Sequence, residues 1–287
     1  MSERRLITPR AHDLGGGFTV RRALPAAAAR SVGPFVFFDH FGPVQAGPQD
    51  NHDVRPHPHI GLATVTYLFE GAMQHRDSTG AVQRIEPGAI NWMTAGRGIV
   101  HSERTPDDLR DSTRRSHGLQ LWVALPEALE EADPGFAHTP ADAIPTLEVG
   151  GAQLRVLVGE VYGARSPVAT ASPTLFVDIR LQAGDAFPVP TAAERALYGI
   201  DGPFTLDGQR VPAQTLVVLA PGEEPLVAAD ADVRIALIGG DPLGPRFMWW
   251  NFVSSRKARI DEAAADWAAG RFPGVPGETE FIPLPAR

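Results

Sequence analysis

The tripeptide His57-Pro58-His59 opens the run HPHIGLATVTYLFEG (57–71), and this run decides how the sequence is interpreted. The positions after His59 are rich in β-branched and aromatic residues and end at Gly71, which predicts a β-strand. Side chains at positions i and i+2 of a strand point to the same face. His57 and His59 are therefore expected to present two imidazoles on one side.

A second stretch, PGAINWMTAGRGIVHSER (87–104), repeats this spacing. His101 and Glu103 stand two residues apart after a glycine turn, so one strand face would carry an imidazole and a carboxylate. If the two strands are neighbours, three imidazoles and one carboxylate converge. Such a nitrogen and oxygen site suits Fe, Mn, Ni, Cu or Zn. We predict that His57, His59, His101 and Glu103 bind a metal, with Glu103 as the candidate general base.

The composition excludes several other kinds of site. The 287 residues include nine histidines, of which the last is His138, and no cysteine. The chain therefore has no disulfide, no thiolate nucleophile and no cysteine-based metal site. A net charge of −8 argues against direct binding of nucleic acid. Because no secretory signal or membrane-length apolar run is present, we expect a cytoplasmic protein that does not bind a membrane.

Frequent turn residues between short apolar runs predict an all-β fold. The chain has 29 glycines and 27 prolines, and most apolar runs are four to eight residues long. Two segments are predicted to be helical. Residues 126–132 form a short acidic stretch, and residues 256–269 place apolar side chains at helical spacing. Ser254 or Ser255 is expected to cap this second helix, and Gly270 to end it.

A weak internal repeat indicates two similar halves. Residues 67–71 resemble residues 198–202 at an offset of 131, and residues 93–96 resemble residues 219–222 at an offset of 126. We predict an N-terminal metal-binding domain over residues 1–140. Residues 141–287 would form a second domain without metal that ends in a helix. At these offsets, the positions corresponding to the four predicted ligands are Pro188, Pro190, Val227 and Ala229.

Several motifs together resemble those of the pirin family of the cupin superfamily. They are FDHFGP (38–43), HRDSTG (75–80) and the two stretches that carry the predicted ligands, and the tail FMWWNFVSS (247–255) resembles a bacterial branch. The resemblance implies two cupin barrels of the double-stranded β-helix or jelly-roll type, facing each other, with a short C-terminal helix. It also implies Fe(II) at His57, His59, His101 and Glu103, although the residue types would accept other divalent metals.

Two functions follow from the resemblance, and the sequence leaves both open. One is an oxidoreductase of the quercetin dioxygenase type, which uses dioxygen to cleave a ring of a flavonol-like aromatic substrate and incorporates both oxygen atoms. The alternative is a non-enzymatic, iron-dependent regulator that senses redox state and binds a protein partner.

Other candidate residues carry weaker signals. His75 is expected either to hydrogen-bond within a turn or to support the metal ligands. Asp39, His40 and Arg97 are expected to have structural roles. The pair Trp249 and Trp250 is expected to pack in a core or between domains rather than to form a platform for a ligand.

Overall fold

The computed structural model describes residues 3–14 and 17–286, and most of its regular structure is β-strand. The strands of the first part of the chain are β1 (Arg5–Ile7), β2 (Arg10–Asp13), β3 (Thr19–Leu24), β4 (Phe35–Ala46), β5 (Val54–His59), β6 (Leu62–Glu70), β7 (Met73–Asp77), β8 (Val82–Ile85), β9 (Ile90–Thr94), β10 (Ile99–Arg104), β11 (Arg114–Ala124) and β12 (Gly135–Thr139).

The rest of the chain follows the same style, with short strands joined by turns. It contains β13 (Thr146–Val149), β14 (Ala152–Val158), β15 (Glu160–Val161), β16 (Ala164–Arg165), β17 (Thr174–Leu181), β18 (Ala186–Pro188), β19 (Glu194–Gly199), β20 (Phe204–Leu206), β21 (Gln209–Val211), β22 (Leu216–Val218), β23 (Leu226–Ala228), β24 (Val233–Gly240), β25 (Phe247–Trp249), β26 (Phe252–Ser254) and the helix α1 (Lys257–Ala268). Short 3-10 turns occupy Asp107–Leu109, Glu127–Leu129 and Ala141–Ala143.

The prediction of an all-β fold with one C-terminal helix is confirmed. In the described part of the chain, no helix is long and apolar enough to cross a membrane.

The chain forms two compact units, each assembled from separate segments. The histidine unit comprises residues 11–20, 39–138 and 243–287, and the second unit comprises residues 1–10, 21–38 and 139–242. Helix α1 is thus part of the histidine unit in space, although it follows the second unit in sequence. The domain ranges 1–140 and 141–287 stay a prediction about the sequence, since the compact units are not contiguous along it.

The same strand order occurs twice. In the histidine unit, β5-β10-β7-β8 form one sheet, and β9-β6-β11-β4 are consecutive in the other. The second unit repeats both orders as β18-β23-β20-β21 and β22-β19-β24-β17. Each of these eight strands of the histidine unit therefore has a counterpart thirteen strands later. Neighbouring strands pair antiparallel in both units. This shared topology supports the duplication suggested by the weak sequence repeat.

The structure corrects one detail of the repeat. His101 lies opposite His57 across β10 and β5, whereas Val227 lies opposite Phe187 across β23 and β18. The counterparts of His57 and His59 are therefore Phe187 and Val189, rather than Pro188 and Pro190. The prolines were misassigned because the offset of 131 was measured on a different strand pair. The four counterparts of the predicted ligands are Phe187, Val189, Val227 and Ala229, and all of them lie in the apolar core of the second unit.

The predicted helix over residues 126–132 is wrong, because only Glu127–Leu129 turn, as a 3-10 segment. The reason is tertiary. Glu130 is buried and accepts hydrogen bonds from the Ser254 hydroxyl and from the backbone N–H of Ser255, and it also pairs with Arg246. These contacts fix the position of the chain after residue 129, so the turn does not continue as a helix.

The second helix forms as predicted but is capped differently. It runs over Lys257–Ala268 and begins after Arg256, which makes no side-chain capping bond. Ser254 and Ser255 precede this N-cap position. Their hydroxyls donate to Glu130, and the Ser254 hydroxyl accepts a hydrogen bond from the Arg256 N–H. Gly270 has a φ of +65° and donates its N–H to the Trp267 carbonyl, which confirms the predicted end.

The C-terminal segment is bound along the outer side of the strands that carry the histidines. Ser102, whose side chain points away from those of His101 and Glu103, donates to Glu278 at 2.7 Å. Arg104 donates to the other oxygen of Glu278 at 2.6 Å, and the Ile282 N–H donates to the Pro56 carbonyl at 2.8 Å. The segment thereby fixes β10 and β5 from behind.

The hydrogen bond from Arg104 lowers the pKa of Glu278. Because of this lowered pKa, the contribution of Glu278 to the stability of the folded protein depends on pH. A carboxylate whose folded pKa lies below its unfolded value stabilises the protein above the unfolded value, and this stabilisation is lost as the pH falls through the folded value. We expect Glu278→Gln to be less stable than the wild type at pH 7, with the difference shrinking at or below about pH 4. Urea unfolding at both pH values measures this, and Glu262→Gln, which changes an exposed glutamate of α1, is the control. A difference that is the same at both pH values would contradict the assignment.

A glycine allows the C-terminal segment to approach closely. Gly61 has a φ of +67°, and a Cβ there would overlap the Val253 carbonyl oxygen. Gly80 has a φ of +93° with open space around it. Gly80→Ala should cost only the backbone strain of about 1–2 kcal/mol. We expect Gly61→Ala to lower the free energy of unfolding by roughly 2 kcal/mol more, because of the overlap. Equal losses in denaturant unfolding would refute the close approach.

Candidate metal centre

Three histidine side chains meet inside the histidine unit. His57 and His59 are on β5, and antiparallel pairing of β5 with β10 sets His101 opposite His57. One ligand nitrogen from each lies within 4.8 Å of the others, and all three side chains are buried. The ring centroids of His57 and His101 are 4.3 Å apart. The i, i+2 spacing thus places these imidazoles on one face, as the sequence analysis expects.

Hydrogen bonds orient two of the rings. The Nδ1 of His57 is 2.9 Å from the Arg55 carbonyl oxygen, and the Nδ1 of His59 is 3.1 Å from that of Asn251. A carbonyl only accepts, so each Nδ1 carries the hydrogen and each Nε2 keeps its lone pair. This is the form of histidine that binds a metal through Nε2.

Burial keeps the three imidazoles neutral. It lowers the pKa of His57 to about 4, and it lowers the pKa values of His59 and His101 well below the ordinary value. The neighbouring His57 lowers both of the latter further. Neutral rings leave their lone pairs free for a cation at neutral pH.

Glu103 is buried beside these residues but outside the group defined by the 4.8 Å distance. The pairing of β10 with β5 changes register between His101 and Glu103, so Glu103 lies opposite Val54. Burial raises the pKa of Glu103 to about 7, and a hydrogen bond with Thr66 opposes part of that rise. The role of Glu103 as a metal ligand stays a prediction, because the irregular pairing falls between His101 and Glu103.

Two buried polar atoms at this place have no hydrogen-bond partner, namely His101 Nε2 and Glu103 Oε1. An unsatisfied buried polar group costs about 1–3 kcal/mol, and more when it is charged. The Nε2 atoms of His57, His59 and His101 would hold a divalent cation, and Oε1 of Glu103 is a further candidate ligand. The residues present therefore fit a metal ion.

A row of polar side chains, which the sequence analysis missed, crosses the opposite sheet. Thr66 on β6, which bonds Glu103, also lies 2.9 Å from the side-chain oxygen of Gln120 on β11. Asn91 is the cross-strand partner of Thr66 on β9, so it shares this face. The Nδ1 of His138 on β12 contacts the Asn91 Oδ1 at 2.8 Å, while the buried Asn91 Nδ2 has no partner. The alternation of Thr64 and Thr66 with apolar residues in β6 is the signal that could have indicated a polar inner face.

Aromatic side chains complete the surroundings. Trp122 stands edge-on to His59, with ring centroids 5.2 Å apart. Phe136 is stacked on His75 at 4.3 Å. His75 itself is buried, and it contacts both His101 and Asp77. His75 thus lies behind a predicted metal ligand as well as beside a turn.

The remaining candidates lie outside the group of three histidines. His40 is buried, and its Nε2 is 2.8 Å from that of His117. Arg97 pairs with the exposed Asp133. Trp249 and Trp250 pack with Phe252 in an aromatic cluster, in agreement with the expected core role.

Comparisons with known proteins agree with this architecture. The family model described as Pirin matches residues 17–123, and the one described as Pirin C-terminal cupin domain matches residues 176–273. A Pirin-like protein of Caulobacter vibrioides is 48% identical over 282 residues, covering 96% of this chain and 97% of that protein.

Solved structures show the same fold. A crystal structure of quercetin 2,3-dioxygenase from Acinetobacter baumannii matches with a TM-score of 0.92 and 35% identity, covering 99% of this chain and 95% of the other. The bacterial pirin YhhW from Escherichia coli, solved in complex with nickel(II), shares the fold with a TM-score of 0.65 and 18% identity over 84% of this chain and all of the other. Both cupin domains and nearly the whole length are matched, and this chain therefore belongs to the pirin family.

Proposed function

We propose that this protein is a metal-dependent dioxygenase that cleaves flavonols such as quercetin, with His57, His59, His101 and Glu103 holding Fe(II). The observation that carries the proposal is the cluster of three neutral, buried imidazoles beside the unpartnered oxygen of a buried carboxylate. The similarity to the Acinetobacter baumannii quercetin 2,3-dioxygenase supports the choice of substrate. A cytoplasmic location stays a prediction of the sequence.

The donor atoms favour a particular group of metals. They are imidazole nitrogen and carboxylate oxygen, and no cysteine exists in the chain. Such donors accept Fe(II), and also Mn, Ni, Cu or Zn, because selectivity among these ions depends largely on geometry and availability. When bound, the metal would supply Lewis acidity toward the flavonol hydroxyl and open positions for substrate and dioxygen.

Glu103 is the residue that we assign to proton transfer. Thr66 holds its carboxylate in place, while Oε1 faces no protein donor. When that oxygen is not bound to the metal, it can take the proton of the flavonol hydroxyl as the substrate binds. A positioned base of this kind typically contributes about 10²–10⁴-fold to a rate.

The polar row and the aromatic residues orient the substrate. Asn91 has its Oδ1 fixed by His138, so its unpartnered Nδ2 is available to an oxygen of the substrate. Trp122, beside His59, provides an apolar surface for an aromatic ring. A planar molecule rich in oxygen satisfies both features, which agrees with a flavonol.

Metal binding is the first prediction of this proposal. Protein stripped with a chelator should take up one Fe(II) per chain without oxygen, or one Zn(II) as a redox-inert probe, and its melting temperature should rise because the metal binds the folded state. His101→Ala should lose most of this uptake, since it removes an unpartnered ligand nitrogen. His12→Ala, which changes an exposed histidine, is the control. Uptake by His101→Ala equal to that of the wild type would refute the centre.

Turnover is the second prediction. Glu103→Gln retains three imidazoles but cannot accept the proton, so aerobic loss of quercetin absorbance should fall by about 100-fold or more in protein of verified metal content. Glu148→Gln, which alters an exposed glutamate of the second unit, should match the wild type. Full turnover by Glu103→Gln would remove the base role. A metal-loaded wild type that consumes no flavonol would refute the dioxygenase and favour the redox-sensing regulator.

A further inference from the structure

We propose that His75 and Asp77 act as a positioning relay that sets which nitrogen of His101 carries the hydrogen, so that its Nε2 faces the metal. The inference deepens the proposed function and rests on the proposed metal centre. It concerns residues that contact neither substrate nor metal, and it assigns them no catalytic role.

The three side chains form one buried chain of contacts. The Asp77 Oδ2 is 2.9 Å from the His75 Nε2, and the His75 Nδ1 is 3.4 Å from the His101 Nδ1. Asp77 has no exposed surface, and His75 and His101 are each 2% exposed. Water therefore does not replace these contacts.

The hydrogen atoms in this chain can be placed one by one. An ionised carboxylate only accepts, so the hydrogen between Asp77 and His75 is on the His75 Nε2. A His75 ring that carries only this one hydrogen has a lone pair on Nδ1. The hydrogen in the next contact must come from the His101 Nδ1, which leaves a lone pair on the His101 Nε2. That nitrogen is the atom without a partner in the protein.

Asp77 is anchored so that its other oxygen cannot turn toward His75. Its Oδ1 accepts hydrogen bonds from the Thr79 N–H at 2.8 Å, the Thr79 hydroxyl at 2.6 Å and the Ala81 N–H at 3.3 Å. The turn in HRDSTG (75–80) therefore fixes the direction of the relay. The two interpretations of His75 in the sequence analysis, a turn residue and a support for the ligands, describe connected parts of one device.

Strand pairing and packing hold the relay in line. Antiparallel pairing of β7 with β10 sets Asp77 opposite His101 and His75 opposite Glu103. Phe136 is stacked on the His75 ring with an interplanar angle of 22°. His57 and His59 are oriented by backbone carbonyls, so His101 is the one of the three ligands whose tautomer depends on other side chains.

Asp77→Asn is the informative variant. The three donors around Oδ1 should retain the amide oxygen, which places the NH₂ group against the His75 Nε2 and reverses each hydrogen bond in the chain. His101 would then carry its hydrogen on Nε2. We expect the affinity for Zn(II), measured by competition with a chromophoric chelator, to fall by about 10–100-fold.

A second readout is specific for the tautomer and needs no metal. Long-range ¹H–¹⁵N NMR of the metal-free protein should show His101 with its hydrogen on Nδ1 in the wild type and on Nε2 in Asp77→Asn. Asp53→Asn is the matched control, because it also neutralises a buried carboxylate of the histidine unit but lies outside the relay. It should change neither readout. His75→Phe keeps the stacking on Phe136 and removes both bonds, so it should weaken Zn(II) binding by a similar factor.

The outcomes separate the relay from the metal centre. An unchanged His101 tautomer in Asp77→Asn overturns the relay, as does an equal loss of affinity in Asp53→Asn. If Asp77→Asn does not fold, unchanged Zn(II) affinity in folded His75→Phe overturns it as well. If His101→Ala binds Zn(II) as tightly as the wild type, the metal centre fails. The tautomer shift in metal-free Asp77→Asn would then still show whether the relay exists.

Discussion

The antiparallel pairing of β5 with β10 sets His57 opposite His101, and the chemistry of the histidine unit depends on this register. A slip of one residue in a strand moves every side chain to the other face. Such a slip would send the imidazoles outward and bring Pro58 and Ser102 inward. The C-terminal segment, bound to Ser102, Arg104 and Pro56 on the outer face, opposes it. The C-terminal segment therefore helps to hold the register that brings the imidazoles together.

The two units show what this arrangement costs. Both have the same strand order, yet the second unit fills the corresponding positions with Phe187, Val189, Val227 and Ala229. Apolar side chains there bury surface at a gain of about 25 cal/mol per Å². The histidine unit instead buries imidazoles and a carboxylate, two atoms of which have no protein partner. Polar groups placed at such expense in one copy of a fold, and absent from the other, indicate a binding role for the first copy.

The sequence revealed those parts of the site that depend on local periodicity. The two-residue repeat of a strand puts His57 and His59 on one face whatever the neighbouring strands are, whereas their meeting with His101 depends on the pairing of β5 with β10. The distance of Glu103 from the imidazoles could not be predicted, because it depends on an irregular pairing with β5. Asp77 and Asn91 were missed for a related reason. Their importance arises from which strands are adjacent, and adjacency joins residues far apart in the chain.

Local signals failed where tertiary contacts were stronger. The acidic stretch at 126–132 has the composition of a helix start, but the bonds that Glu130 makes to residues more than 100 positions away end the turn early. The repeat could be detected in the sequence, although the offset of 131 is one residue too large at β18. A fixed offset fails wherever the two halves differ by a small insertion, whereas the order of the strands is unchanged. Fold class was thus more predictable than the alignment of the two halves.

Charge gives a reason for the relay to end in a carboxylate rather than in a carbonyl. A divalent cation bound by three neutral imidazoles and Glu103 leaves one positive charge in a buried place, where an uncompensated charge is costly. Asp77 is fully buried and connected to the site through His75 and His101. Its negative charge brings the total to zero once a divalent metal is bound. His57 and His59 are oriented by backbone carbonyls and need no carboxylate partner. One carboxylate besides Glu103 is enough to balance the charge of a divalent metal.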